Sequence, residues 1–139
     1  MPAGYEISTD PGRLDRDLIH RFLSEESYWA RGRERARTES SIDASLPFGV
    51  YRGDEQVGFA RVVSDLTTFA WLADVFVVRA HRGRGVGRWL VETVLEHPQL
   101  RGVSRWLLGT ADAHELYRRY GFRETDAGRF MVREHGGAL

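Results

Sequence analysis

Three glycines alternate with other residues in one short segment, and arginines flank them. The segment runs from Arg82 to Arg88, with glycine at positions 83, 85 and 87. Glycine allows a positive φ and lacks the Cβ atom that would keep a ligand away from the backbone. Where such a loop leads into a helix, the unpaired N–H groups of the first turn and the helix dipole attract anions. These residue types at this spacing indicate a pyrophosphate site.

Two common phosphate-binding motifs fit this loop less well. A P-loop requires Gly-x4-Gly-Lys-Ser/Thr, and the chain has no lysine. The dinucleotide fingerprint Gly-x-Gly-x-x-Gly follows the first strand of its domain, whereas this loop follows an apolar run in mid-chain. A tight strand-to-helix turn with solvated arginines needs no ligand at all. From the loop alone, a ligand site and a plain turn both stay open.

The composition limits the kinds of partner. Among 139 residues, twenty basic side chains, all arginine, balance twenty acidic ones, so the formal net charge is zero. A neutral chain has no long-range attraction to nucleic acid or to an anionic membrane. Without cysteine, and with five dispersed histidines, it has no metal-ligand pattern. Without a signal-peptide pattern or an apolar run of ~20 residues, we expect one cytoplasmic domain over residues 1–139.

Apolar periodicity predicts the elements that position the loop. In chain order they are a strand over 5–9, a helix over 14–23, a short helix over 33–38, a hairpin of strands 48–52 and 56–64, a strand over 69–79, a helix over 85–96, a strand over 106–109, a helix over 115–120 and a last strand or hairpin over 123–133. The run Val75–Val78 is continuously apolar, as in a strand buried on both faces. Strands with helices between the later ones indicate an α/β or α+β fold with a mixed sheet.

Two segments together resemble a known enzyme family. Arg82-Gly83-Arg84-Gly85-Val86-Gly87 is similar to the Arg/Gln-x-x-Gly-x-Gly/Ala signature of the GNAT acetyltransferases, in the same strand–loop–helix context. Leu116-Tyr117-Arg118-Arg119-Tyr120-Gly121-Phe122 resembles that family's closing motif, a tyrosine followed by Gly-Phe. The resemblance is strong over 57–122 and weak over 24–46. It implies a GNAT fold, with a central mixed sheet of about six or seven strands, helices on both faces and a splayed strand pair that holds acetyl-CoA.

The resemblance also implies an activity and a set of residues on the coenzyme side. The activity is N-acetyl transfer from acetyl-CoA to a primary amine of a small molecule or peptide, by direct attack in a ternary complex. The splayed strands would lie over 71–79 and 106–109. The main chain at Phe76, Val77 and Val78 would pair with the pantetheine arm, and an N–H near Val77 or Val78 would polarise the thioester carbonyl. The pyrophosphate would bind at Arg82, Gly83, Arg84, Gly85, Val86, Gly87 and Arg88.

Two residues are the implied proton-transfer groups. Tyr117 occupies the family's acid position, where a phenol donates a proton to the leaving thiolate; a core aromatic is the alternative. Asp74 lies in an apolar run on the cofactor-facing strand, near where several relatives place a glutamate base. A structural hydrogen bond is the alternative for Asp74, because a buried carboxylate needs a partner. His81 and His114 are lesser candidates.

The acceptor side is less specific in sequence. Acceptor pockets in the family are built by the first helices, the hairpin and the final strands, which here gives Tyr28, Trp29, Arg61 and Trp71. Aromatic side chains at such positions can equally belong to the core. Tyr28 and Trp29 stand in a polar segment without core periodicity, so we expect them to cover the acceptor site. The sequence does not identify the acceptor, and it leaves the oligomeric state, including a homodimer, undetermined.

Two other functions compete with acetyl transfer. The first is an acyl-CoA-binding or sensing module that keeps the fold without catalysis; the retained Tyr117 counts against it. The second is RNA binding by the Arg-Gly-Arg-Gly segment, which would need a wider basic face with stacking aromatics. The zero net charge and the neighbouring apolar strand count against RNA, so we expect no nucleic-acid partner.

Overall fold

A five-stranded mixed sheet forms the centre of residues 1–135, the part of the chain described by the structure, a computed structural model. The strands lie side by side in chain order: β1 (Glu6–Ser8), β2 (Leu46–Arg52), β3 (Glu55–Ser64), β4 (Ala70–Val77) and β5 (Trp106–Leu108). The first four are antiparallel, and β5 runs parallel to β4. The predicted mixed sheet is confirmed, with five strands in the described residues rather than six or seven.

Helices cover both faces of this sheet, as predicted. They are α1 (Arg16–Arg21), which continues into a π-helical turn (Phe22–Glu26), α2 (Arg35–Asp43), α3 (Val86–Glu96) and α4 (His114–Arg118). Val86, Leu90 and Val94 recur at four-residue intervals along α3, so they form one apolar stripe buried against the sheet. On the opposite face a smaller core forms where α1, the π-helical turn and α2 pack on Phe59 and Phe76.

A β-bulge in β4 decides which face its later side chains take. Phe59 pairs with Phe76 while Arg61 pairs with Ala73, so β4 carries one extra residue between these pairs. Within it Asp74 has a φ of 54°. An extra residue reverses the alternation of side chains. Leu72 therefore packs in the core under α3, whereas Phe76 packs on the other face and stacks on Phe22 with ring centroids 4.0 Å apart.

The strands β4 and β5 separate after three paired residues. Their parallel register ends at Leu72 and Leu108, although β4 continues to Val77. This is the predicted splayed pair. The expectation that Val75–Val78 is buried on both faces is wrong: Phe76 is buried, but its neighbours in this run are half-buried. The reason is that β5 diverges and leaves this part of β4 beside an open cleft, which Val75 lines.

The segment 123–133 carries the clearest error of the sequence-based prediction. It forms neither a strand nor a hairpin in the structure, and Phe130, Met131 and Val132 are exposed. The apolar run has strand propensity, but a strand is stable only when another strand pairs with it. The last four residues of the expected 1–139 domain, 136–139, lie outside the described residues.

Candidate functional site

The gap between β4 and β5 opens into a cleft of about 420 Å³, within the range of small-molecule sites. It begins where the two strands stop pairing, so its floor is the free edge of β4. Its lining residues are Tyr28, Trp29, Trp71, Leu72, Ala73, Asp74, Val75, Leu108, Gly109, Thr110, Ala111, Asp112, Ala113 and Tyr117. Four aromatic side chains and one buried carboxylate thus converge on the place where the sheet splits.

The main chain of β4 offers fewer donors to this cleft than the sequence suggests. The N–H of Val78 donates to the Val57 carbonyl at 2.9 Å, on the β3 side. Successive residues of a strand direct their N–H groups to opposite edges. The N–H of Phe76 therefore also faces β3, and that of Val77 faces the open edge. Phe76 and Val78 are thus corrected as donors toward the cleft, while Val77 keeps the required direction.

The glycine loop has the backbone conformation that its sequence predicts. Gly83 and Gly85 have φ values of 79° and 78°, in the left-handed region where other residues are strained. Gly85 precedes the first residue of α3, and the N–H of Trp89 donates to its carbonyl at 3.1 Å. The N–H groups of 86–88 precede the first intrahelical bond, as at any helix start. With the helix dipole, they can hold an anion.

Two arginine side chains of this loop, Arg82 and Arg84, already have partners within the protein. Arg82 donates through Nε to the Val77 carbonyl at 2.8 Å. Arg84 donates to the Tyr5 hydroxyl at 3.2 Å. The guanidinium groups therefore hold the loop against its surroundings, and the main-chain N–H groups are the donors best placed for a phosphate.

Tyr5 ties the N-terminal segment to this loop, which the sequence did not indicate. Its hydroxyl lies 2.7 Å from Nδ1 of His81, and both Arg52 and Arg84 donate to it at 3.2 Å. Desolvation raises the pKa of Tyr5, but the hydrogen bonds from Arg52 and Arg84 outweigh it and lower the pKa overall. Residues 47 and 79 positions away from Tyr5 meet at one oxygen, so no local pattern could reveal the contact.

Tyr117 reaches the cleft from α4 and stays protonated. Only 8% of the residue is exposed, and burial, with smaller contributions from Tyr28 and Asp112, raises its pKa to about 12. Within residues 1–135 its hydroxyl has no hydrogen-bond partner. A protonated phenol with a free hydroxyl at the edge of the cleft can donate a proton or a hydrogen bond to a group bound there.

Asp74 is enclosed by two arginines and a tryptophan. One carboxylate oxygen accepts from Trp29 Nε1 at 2.8 Å, and the other accepts from Arg33 at 2.9 Å and from Arg61 Nε at 2.6 Å. Burial raises the pKa of Asp74, but the hydrogen bonds and charges of Arg33 and Arg61 outweigh it and lower the pKa. These contacts match the structural alternative named for Asp74, and they extend to two elements rather than one.

The predicted acceptor residues separate into two groups. Tyr28, Trp29 and Trp71 line the cleft together with Tyr117. Arg61 is not among the lining residues, because it points to Asp74 and to the Ser45 hydroxyl. The sequence also missed Arg33, which is buried in the polar segment before α2. Only the absence of any core pattern around Arg33 marked that segment as unusual.

The two lesser histidine candidates lie away from the centre of the cleft. His81 contacts Tyr5, and His114 begins α4 and lines a neighbouring groove with Tyr117. Among residues 1–135, no group of three or more His, Cys, Asp or Glu side chains could hold a metal ion. None of the helices in that part of the chain is long and apolar enough to cross a membrane.

Comparison with known proteins identifies relatives of both the sequence and the fold. The model of the acetyltransferase (GNAT) family matches residues 16–122. The crystal structure of a candidate GNAT acetyltransferase from Xanthomonas campestris pv. campestris is 43% identical, with a TM-score of 0.92 over 98% of this chain and 96% of that one. A candidate acetyltransferase from Deinococcus radiodurans R1, 18% identical, shares the fold with a TM-score of 0.73 over 94% and 89% of the two chains.

A curated relative supports the same grouping over part of its length. A candidate acetyltransferase of Gibberella zeae is 32% identical, and the match covers 66% of this chain. This chain spans 63% of the length of that relative.

Proposed function

The chain belongs to the acetyltransferase (GNAT) family, and we propose that it transfers an acetyl group from acetyl-CoA to a primary amine of a small molecule or peptide. The amine attacks the thioester directly while both substrates are bound. The observation that carries this proposal is the separation of β4 from β5 beyond Leu72 and Leu108, with Tyr117 lining the resulting cleft. The proposal treats residues 1–139 as one catalytic domain, located in the cytoplasm.

Acetyl-CoA fits this site through two sets of main-chain donors. The pyrophosphate binds the N–H groups at the start of α3, which Gly83 and Gly85 leave accessible. The pantetheine arm lies along the open edge of β4. There the N–H of Val77 donates to the thioester carbonyl, and one such donor is worth about 3–4 kcal/mol in the transition state.

The transfer then requires two proton movements. The amine nitrogen bonds to the acetyl carbon, and the carbon–sulfur bond breaks. The sulfur gains one proton from Tyr117, and the proton lost by nitrogen restores the Tyr117 phenol. Tyr117 delivers the proton to sulfur, because its raised pKa keeps the phenol protonated throughout the neutral range. The products are the N-acetylated amine and free coenzyme A, so no redox partner or metal takes part in the balance.

The acceptor enters beside the aromatic residues of the cleft. Tyr28, Trp29 and Trp71 offer apolar surface and ring faces to the carbon skeleton of the amine. Because Arg61 is bound to Asp74, it does not serve as a free cation for an anionic acceptor. The acceptor class is therefore an amine with an apolar or aromatic portion next to the reacting nitrogen.

Two measurements test the proposal in sequence. Calorimetric titration with acetyl-CoA should show binding, and a titration that stays flat up to millimolar ligand would overturn the proposed function. Free-thiol release should then be followed across arylalkylamines, amino acids, aminoglycosides and peptides. Binding without amine-dependent thiol release would instead identify an acyl-CoA-binding module.

A further inference from the structure

We propose that Asp74 is a positioning residue: it anchors Tyr28 and Trp29 across the cleft and does not take the proton of the acceptor amine. The inference rests on the proposed acetyl transfer, because it assigns a role within that site. It is based on two adjacent residues, Tyr28 and Trp29, whose side chains contact opposite sides of the cleft. Tyr28 and Trp29 are called the bridging pair below.

The bridging pair spans the cleft from one strand to the other. Trp29 donates through Nε1 to Asp74 on β4 at 2.8 Å. The Tyr28 hydroxyl accepts from the N–H of Ala111 at 2.7 Å, three residues after the end of β5. The two rings meet edge to face, with centroids 5.1 Å apart. The pair thus connects the two strands at the point where they have stopped pairing with each other.

Hydrogen bonds of Ser27 hold the backbone on both sides of the bridging pair. Ser27 ends the π-helical turn, and its hydroxyl donates to the Leu23 carbonyl at 2.7 Å. The same hydroxyl accepts from the N–H of Ala30 at 3.0 Å. The pair is therefore held on both sequence flanks, and its two side-chain contacts join this fixed segment to both sides of the cleft.

The contacts of Asp74 are those of a structural anchor and not those of a general base. A general base must reach the substrate proton with a free lone pair. Only 2% of the Asp74 side chain is exposed, and each of its oxygens accepts from Arg33 in addition to Trp29 or Arg61. The bulge re-aims this carboxylate toward the face that carries the two arginines. Both oxygens of the carboxylate are therefore already engaged in hydrogen bonds within the protein.

The other titratable groups of the cleft do not alter this assignment. Tyr28, Asp112 and Tyr117 line the same space, and among residues 1–135 none of them bonds to Asp74. The charged groups facing Asp74 are Arg33, from the segment before α2, and Arg61, from β3. Loss of the carboxylate should therefore act first on the bridging pair and only through it on the acceptor.

Nuclear magnetic resonance of the full chain tests the anchor without any acceptor. The protein has four tryptophans, and the indole signal missing in Trp29→Phe identifies Trp29. In Asp74→Asn we expect that signal to shift and its solvent exchange to rise about tenfold or more, together with that of the Ala111 amide. Asp17→Asn is the control, because it removes a carboxylate that pairs with Arg35 on the surface. Unchanged Trp29 and Ala111 signals in Asp74→Asn would overturn the anchor.

A pH profile separates positioning from base catalysis. In Arg61→Gln the carboxylate loses one cation, so the pKa of Asp74 rises. If Asp74 were the base, the acidic limb of kcat would move to higher pH, and that shift would overturn the proposal. As a positioning residue, Asp74 leaves the limb of Arg61→Gln in place, and the acceptor KM rises about threefold or more only in Asp74→Asn, which loses the anchor of Trp29.

The two experiments also separate this inference from the proposed function. Should Asp74→Asn fail to fold, Trp29→Phe replaces it: loss of Ala111 amide protection supports the bridge, and full protection overturns it. Should no amine be acetylated, the proposed function fails, while the Trp29 signal still decides whether Asp74 holds the bridging pair.

Discussion

The hydroxyl of Tyr5 lies 2.7 Å from Nδ1 of His81, which joins the residue before β1 to the turn that follows β4. Arg84, inside the glycine loop, donates to the same oxygen, as does Arg52 at the end of β2. One phenol oxygen thus fixes the outer side of the loop to the far edge of the sheet. The position of the loop that is proposed to bind the pyrophosphate depends on this contact.

Tyr5→Phe should weaken acetyl-CoA binding because the loop loses this common partner. A hydrogen bond of this kind contributes about 1 kcal/mol, so we expect a dissociation constant raised about fivefold by calorimetry. Tyr51→Phe is the matched control: its buried hydroxyl has no hydrogen-bond partner in residues 1–135, so affinity and stability should be kept. Equal affinities of Tyr5→Phe and the wild type would contradict a role for Tyr5 in ordering the loop.

Gly85→Ala should destabilise the protein through its backbone alone. A Cβ there would meet no atom within 4 Å, but φ is 78°, which costs an alanine about 1–2 kcal/mol. The free energy of unfolding measured in urea should fall by this amount, and the affinity for acetyl-CoA should fall as well. In Gly87→Ala the added Cβ would lie 3.8 Å from Val77, an ordinary contact, and alanine favours the helix. If Gly87→Ala lost as much stability as Gly85→Ala, the conformational argument would be wrong.

Tyr117→Phe should lower kcat with little effect on folding. The hydroxyl makes no hydrogen bond within residues 1–135, so its removal leaves no partner unpaired. Loss of a general acid costs about a hundredfold or more in kcat, measured at saturating amine and acetyl-CoA. Unchanged kcat at saturation would exclude the acid role.

The pH dependence of the wild type provides a second test of Tyr117. Its folded pKa of about 12 lies above the ordinary value near 10. The neutral phenol is therefore retained through pH 10, and the associated stability is lost only as pH rises from about 10 through 12. Thiol release should show no loss assignable to Tyr117 between pH 8 and 10. A basic limb in that range that disappears in Tyr117→Phe would contradict the raised pKa.

Asp74→Asn should be among the most destabilising single changes in the chain at neutral pH. It leaves Arg33 and Arg61 without their buried counter-charge, for which a loss of about 3–5 kcal/mol in the free energy of unfolding is typical. Asparagine tolerates the positive φ at this position, so the change isolates the charge. The exposed pair broken in Asp17→Asn should change the free energy of unfolding in urea far less, because water and salt screen it.

The sign of the Asp74 effect with pH follows from its lowered pKa. The stabilisation is complete above the unfolded value near 3.9 and is lost as pH falls through the folded pKa. The difference between the wild type and Asp74→Asn should therefore be constant from pH 5 to 8 and shrink below about pH 4. A difference that grows as the solution is acidified would show that Asp74 is protonated in the folded protein.

The sequence predicted those parts of the molecule whose determinants are local. The glycine loop, the hairpin and the apolar stripe of α3 depend on residues within one turn or one strand, and their positions were correct to within a few residues. Tyr117 and the bridging pair were placed at the cleft from the family resemblance and from an unexplained aromatic pair. The geometry of the site is consistent with both placements.

The contacts that give Asp74 its role could not be predicted in the same way. Trp29 and Arg33 lie 45 and 41 positions before it and belong to a segment without apolar periodicity. The bulge that brings them together leaves no mark in a run of apolar residues. The segment 123–133 fails for the opposite reason: its pattern is that of a strand, but strand formation depends on a neighbour that the pattern does not contain.

The bulge in β4 makes the backbone conformation at Asp74 as important as the composition of the strand. If residues 73–75 had regular strand geometry without the bulge, Leu72 and Phe76 would share one face, and the Phe76 ring would turn toward α3 and away from the Phe22 ring that it stacks on. The carboxylate of Asp74 would also turn away from both arginines. The left-handed backbone at Asp74 therefore determines which of the two cores Phe76 joins and which face of the sheet carries the carboxylate.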